Sequence, residues 1–125
     1  MKSVFVSYVF EDKAYKETIE KWALDELLGN VKITAEKDDV RASGDNAIRN
    51  QLSPLLTGAA AVIALIGDDT HNHEWVHYEI NHALSNHKKV IPVRIPNTTG
   101  APPNVIKKKE LVDFEPDAIK QAIED

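Results

Sequence analysis

The chain of 125 residues carries 20 acidic against 15 basic side chains, a net charge of −5, and no cysteine. That length suits one domain, and the acid excess disfavours nucleic acid and anionic membrane as partners. Disulfide scaffolds, thiolate zinc sites and cysteine nucleophiles are excluded, and the longest apolar run, at 59–66, is too short to span a bilayer. The expectation is a single cytoplasmic domain over 1–125, since strand-like residues open the chain where a leader would be basic and then apolar.

Residues 4–10 (VFVSYVF) are β-branched and aromatic and predict a first strand. Tyr15, Ile19, Trp22, Ala23 and Leu27 form one apolar stripe, so a helix is expected, with Gly29-Asn30 as its stop. Val31, Ile33 and Ala35 share one face of a short second strand at 31–35. A polar loop is expected at 36–46. Helical spacing returns at 47–56, with a kink or a break at Pro54. Residues 60–67 (AAVIALIG) lack polar alternation, as a strand covered on both faces does. A helix is expected from Glu74, with Val76, Ile80, Ala83 and Leu84 inward. A fourth strand at 90–95 contains Pro92, which favours an edge or an irregular ladder there. A short fifth strand at 111–114 and a closing helix at 116–123 complete the pattern. The exposed-looking Lys107-Lys108-Lys109 run reads as a solvated turn.

Strands and helices in alternation imply a three-layer α/β domain. The sheet is expected to be parallel and five-stranded, in the flavodoxin-like order 2-1-3-4-5. Ligands in such sheets bind beyond the carboxyl ends of the strands where the order reverses, here between the first and third strands. Residues 7–12 and 67–75 would line that crevice. Glu79, one turn after Trp75, is expected to point with Trp75 and away from the Val76-Ile80-Ala83 stripe. It is either a catalytic acid or a solvated helix glutamate. Phe5, Tyr8, Phe10 and Trp75 are either core residues or rings that stack on a ligand.

Val4-Phe5-Val6-Ser7-Tyr8 followed by Asp12 resembles the first box of TIR domains. The segment 62–67 with Thr70, then Trp75-Val76-His77-Tyr78-Glu79-Ile80, resembles the later TIR segment, in which a tryptophan precedes the catalytic glutamate by four positions. The run 90–94 continues the likeness, which covers roughly 2–95 and is strongest to the TIR-like family of bacterial and archaeal Thoeris anti-phage systems. Val76 stands where eukaryotic TIR domains commonly have cysteine. The resemblance implies an enzyme that cleaves the nicotinamide–ribose bond of NAD+ and releases an ADP-ribose-type signal. It implies Glu79 as the catalytic residue, and Ser7, Phe10, Asp45 and Trp75 as residues that bind the nucleotide. It implies the segment 38–45 as the loop that shapes the pocket. NAD+ is then substrate, with no other cofactor. Self-association and a separate effector protein are the implied partners.

Three other readings compete. A TIR-fold interaction module without turnover needs the same strands and loops. His73-Glu74-Trp75-Val76-His77 spells H-E-x-x-H, a zinc hydrolase pattern. A receiver-like phosphoacceptor would use Asp68 or Asp69 after the third strand. It lacks an acidic pair at the end of the first strand and has Arg94 where a lysine is needed.

Overall fold

The computed structural model of the protein describes residues 1–35 and 54–125. The expected loop at 36–46, with Asp45, and the expected helical residues 47–53 lie outside them. Strands β1 (Lys2–Ser7), β2 (Val31–Ala35), β3 (Ala61–Ile66), β4 (Lys89–Arg94) and β5 (Val112–Asp113) form one sheet in the order β2-β1-β3-β4-β5. Every pairing is parallel. Helices α1 (Lys13–Leu24), α2 (Glu74–Ser85) and α3 (Pro116–Glu124) cover it, and residues 54–58 are also helical.

The two faces follow from chain direction. The β1-to-β2 and β3-to-β4 crossovers run to opposite sides of the sheet, and right-handed crossovers then put α1 and α2 on opposite faces. Strand alternation sorts the side chains to match. Val4, Val6, Ile63, Leu65, Ile91 and Val93 pack with Ile19 of α1 and with Ile119 and Ile123 of α3. Phe5, Val62, Ala64, Ile66 and Val90 pack with Val76, Ile80 and Ala83 of α2. All six residues of β3 are buried, as its unbroken apolar run requires. Pro92 is buried opposite Ala64, on a stretch of β4 that β5 does not flank, since β5 pairs only with Val93 and Arg94. Its missing donor therefore costs the ladder little. Phe5 and Tyr8 are core residues.

The helix ends depart from the expectation. α1 stops at Leu24, and the reversal is made by Glu26 at φ 63°. The Glu26 N–H donates to the Ala23 carbonyl and the Leu27 N–H to the Trp22 carbonyl, which closes a Schellman motif. Gly29, at φ 84°, makes a second turn farther on. α2 ends in the same way. His87 sits at φ 58°, its N–H donating to Leu84, with Lys88 donating to Ala83. A side chain in this left-handed position costs about 1 kcal/mol that glycine avoids. His87→Gly is therefore expected to raise stability by up to about 1 kcal/mol in urea unfolding, because the exposed imidazole has little packing to lose.

Candidate functional site

The strand order reverses between β1 and β3, the point at which open parallel sheets bind ligands beyond the carboxyl ends of their strands. Ser7 closes β1 there, in register with Ala64 of β3. Period-two alternation places Ser7 on the face of Phe5, and hence beneath α2. α2 begins at Glu74 with His73 as its N-cap residue in extended conformation, so Glu79 falls one turn into the helix. Glu79 is 1% exposed and Ser7 fully buried, and the Ser7 hydroxyl donates a 2.6 Å hydrogen bond to Glu79 Oε1. The solvated-glutamate alternative is thus overturned. The expectation that Glu79 turns away from the Val76-Ile80-Ala83 stripe is corrected as well. Three residues after Val76 and four before Ala83, it lies on the flank of that stripe and is buried with it.

The turn after β3 is built to hold this edge still. Thr70 is fully buried, and its hydroxyl accepts from the Gly67 N–H at 2.8 Å and donates to the Leu65 carbonyl at 3.2 Å. The loop after β4 straps onto the same turn. Thr98 Oγ1 donates to the carbonyls of Ile95 and Ile66, and the Thr99 N–H donates to Asp68 Oδ1 at 2.8 Å. Gly100 lies so close that a Cβ there would sit 2.3 Å from the Gly67 carbonyl oxygen. Sequence reading missed this strap. A glycine in a Pro/Asn/Thr-rich loop marks a turn, but no local pattern reveals a partner 33 positions earlier.

The other expected residues near the carboxyl ends of β1 and β3 differ in exposure. Phe10 stands on a single 3-10 turn (Phe10–Asp12) after β1, 52% exposed, with Lys13 Nζ 5.8 Å from its ring centroid. Trp75 is half-buried in the first turn of α2, edge-on to Tyr78 with ring centroids 5.5 Å apart. Asp45 lies outside the described residues. Asp12 follows Phe10 and rests its carboxylate against Gly67, where an added Cβ would meet Oδ2 at 2.8 Å. Desolvation raises the Asp12 pKa above the ordinary aspartate value. Glu11 and Asp68 push it further up, and His73 opposes them. A carboxyl whose pKa is raised on folding stabilises the fold while protonated, and that contribution fades as pH rises through the folded-state value. Asp12→Asn should therefore melt higher than the parent at pH 7, and the gap should close toward pH 3; a gap that widens in acid contradicts the assignment.

The competing chemistries find less support in the geometry. His73 is outside the helix, so it and His77 do not form the helical i, i+4 pair that zinc would need. His73 Nε2 lies 3.4 Å from Asp69 Oδ2, and His77 Nε2 donates to the His71 carbonyl at 2.7 Å. Among the described residues no group of three or more potential metal ligands occurs. Asp68 and Asp69 are exposed, and Asp68 serves to tie two loops together. A hollow of about 450 Å³ opens at the opposite end of the sheet, lined by Met1, Leu24 and Val31, away from Glu79. No described helix is long and apolar enough to cross a membrane.

This architecture is that of TIR-type domains. It is similar to the TIR domain of the Toll-related receptor TRR-2 from Hydra magnipapillata, with a TM-score of 0.64 at 14% identity over 88% of this chain and 82% of that one. A prokaryotic SEFIR domain is similar at a TM-score of 0.57 and 16% identity, over 99% of this chain and 88% of that one. The family described as Thoeris protein ThsB, TIR-like domain, matches residues 5–100, and the chain belongs to that family. No match was found among curated proteins.

Proposed function

We propose that the protein is a NAD+-consuming signalling enzyme of anti-phage defence, with Glu79 as its catalytic residue. Membership of the Thoeris TIR-like family supports a signalling role. The observation that supports the enzymatic reading is the buried carboxylate of Glu79, hydrogen-bonded by Ser7 at the end of β1, next to the point where the strand order reverses. A carboxylate removed from water is costly, and such groups concentrate where charge is handled.

The chemistry suits one fixed negative charge. Breaking the bond between ribose C1′ and the nicotinamide nitrogen leaves the electron pair on nicotinamide, which departs neutral and needs no general acid. Positive charge develops on C1′ and the ring oxygen, and a preorganised carboxylate stabilises it. Water then adds at C1′ to form ADP-ribose and a proton, or a nucleophilic atom of the same nucleotide closes a ring. Phe10, exposed after β1, and Trp75, in the first turn of α2, are the aromatic surfaces for nicotinamide or adenine, and Asp45 is the further nucleotide-binding residue of this reading. The product passes to a separate effector protein, and activity depends on self-association.

The test is mass spectrometry of nucleotides after NAD+ is incubated with concentrated protein, with Glu79→Gln in parallel. Nicotinamide together with an ADP-ribose-type product from the parent alone supports the reading. NAD+ left intact by the assembled parent refutes it and leaves an interaction module.

A further inference from the structure

We infer that Ser7 is a positioning residue for the Glu79 carboxylate and does not contact the nucleotide. The inference deepens the reading of Glu79 as the catalytic group and rests on it. Ser7 is fully buried at the end of β1, on the face that α2 covers. Its hydroxyl proton is committed to Glu79 Oε1 across 72 positions of sequence, at 2.6 Å, a length typical of a hydroxyl donating to a charged acceptor. The donor is fixed by the sheet. Ser7 is the last residue of β1, and it is flanked in register by Ala64 of a strand buried along its whole length. Glu79 by contrast stands on a helix, with a longer side chain and more torsions to settle. This short, rigid donor therefore helps to select the glutamate rotamer and favours the ionised carboxylate over its acid form. Alanine would have served as well for packing against Ala64 and Phe5; the hydroxyl is explained by its partner.

The experiment compares Ser7→Ala, Ser7→Cys and Ser7→Thr in the full chain. Cysteine nearly keeps the volume but is a weak donor, whereas threonine keeps the hydroxyl and suits a strand. Ser7→Ala and Ser7→Cys are expected to lower kcat for NAD+ about tenfold, with KM within about twofold. The acidic limb of the pH–rate profile should move up by about one pH unit, the worth of one charge-assisted hydrogen bond. Ser7→Thr restores both. Glu11, Asp12, Asp68, Asp69, His71, His73, His77 and Arg94 also ionise at this end of the sheet, so the readout is the difference between variant and parent. A raised KM at unchanged kcat, with the limb in place, overturns the inference and makes Ser7 a ligand contact. A second readout needs no turnover. In protein labelled at glutamate carboxyl carbons, the Glu79 resonance should titrate at higher pH in Ser7→Ala or Ser7→Cys than in the parent. An unmoved titration overturns the inference even if NAD+ proves not to be the substrate, while NAD+ cleavage undiminished in Glu79→Gln would remove the catalytic reading alone.

Discussion

Glu79→Gln is expected to cut NAD+ turnover by about 10²- to 10³-fold, the usual loss when one preorganised electrostatic contact to a transition state is removed. The amide has the same shape and keeps a carbonyl oxygen that can accept from the Ser7 hydroxyl, so the buried hydrogen bond survives. What disappears is the negative charge. Because the amide keeps the shape of the buried side chain and its bond to Ser7, the variant should still unfold as one cooperative, folded domain. That combination, a stable fold with lost turnover, separates a catalytic role from a structural one. A structural glutamate would show the reverse: activity lost only in proportion to unfolding. Initial rates of NAD+ loss on assembled protein, with thermal melts on the same samples, decide between them. Equal turnover in the two forms removes Glu79 from the chemistry.

How much of this site could be read from sequence depends on which interactions are local. The α2 start at Glu74 and the β2 bounds matched expectation, because apolar periodicity and turn residues mark them within a few positions. Alternation of elements implied the parallel sheet, and the flavodoxin-like order that suits five strands is the one observed. The first strand was expected to run to Phe10 but ends at Ser7, where the chain leaves the sheet for the 3-10 turn and exposes Phe10. The end of α1 was missed because its stripe continues to Leu27, while the left-handed residue that stops the helix is a glutamate. Glutamate carries no signal for that conformation. The orientation of Glu79 was misjudged for a related reason. Its i−4 neighbour Trp75 suggests one direction, but Val76 and Ala83, the core positions on either side, fix the face. The pairing with Ser7 required the fold itself, since period-two alternation in β1 matters only once α2 is known to cover that side.

The second large effect is expected at Gly100, and it concerns stability. An added methyl there would lie 2.3 Å from the Gly67 carbonyl oxygen and 2.5 Å from that of Asp68. Both obstacles are backbone, and the Gly67 peptide is fixed further by its N–H bond to Thr70, so no side-chain rotation can relieve the clash. Gly100→Ala must therefore lift the strap from the turn, loosening the Thr99-to-Asp68 and Thr98-to-Ile66 hydrogen bonds together. A loss of about 2–4 kcal/mol is expected in urea unfolding, in the range of overpacked sites that have also lost hydrogen bonds. Gly58 is the control. It ends the helical residues 54–58, has nothing within 4 Å of an added Cβ, and so Gly58→Ala should be neutral or stabilise by up to about 1 kcal/mol. Two identical substitutions would then move stability in opposite directions, because one glycine is needed for close approach and the other is not. The same comparison reaches the site. The strap holds the turn that lies between the end of β3 and the start of α2, and α2 carries Glu79. If Gly100→Ala proves as stable as the parent, the strap is not what fixes that turn, and the rigidity assigned to this edge of the crevice is wrong.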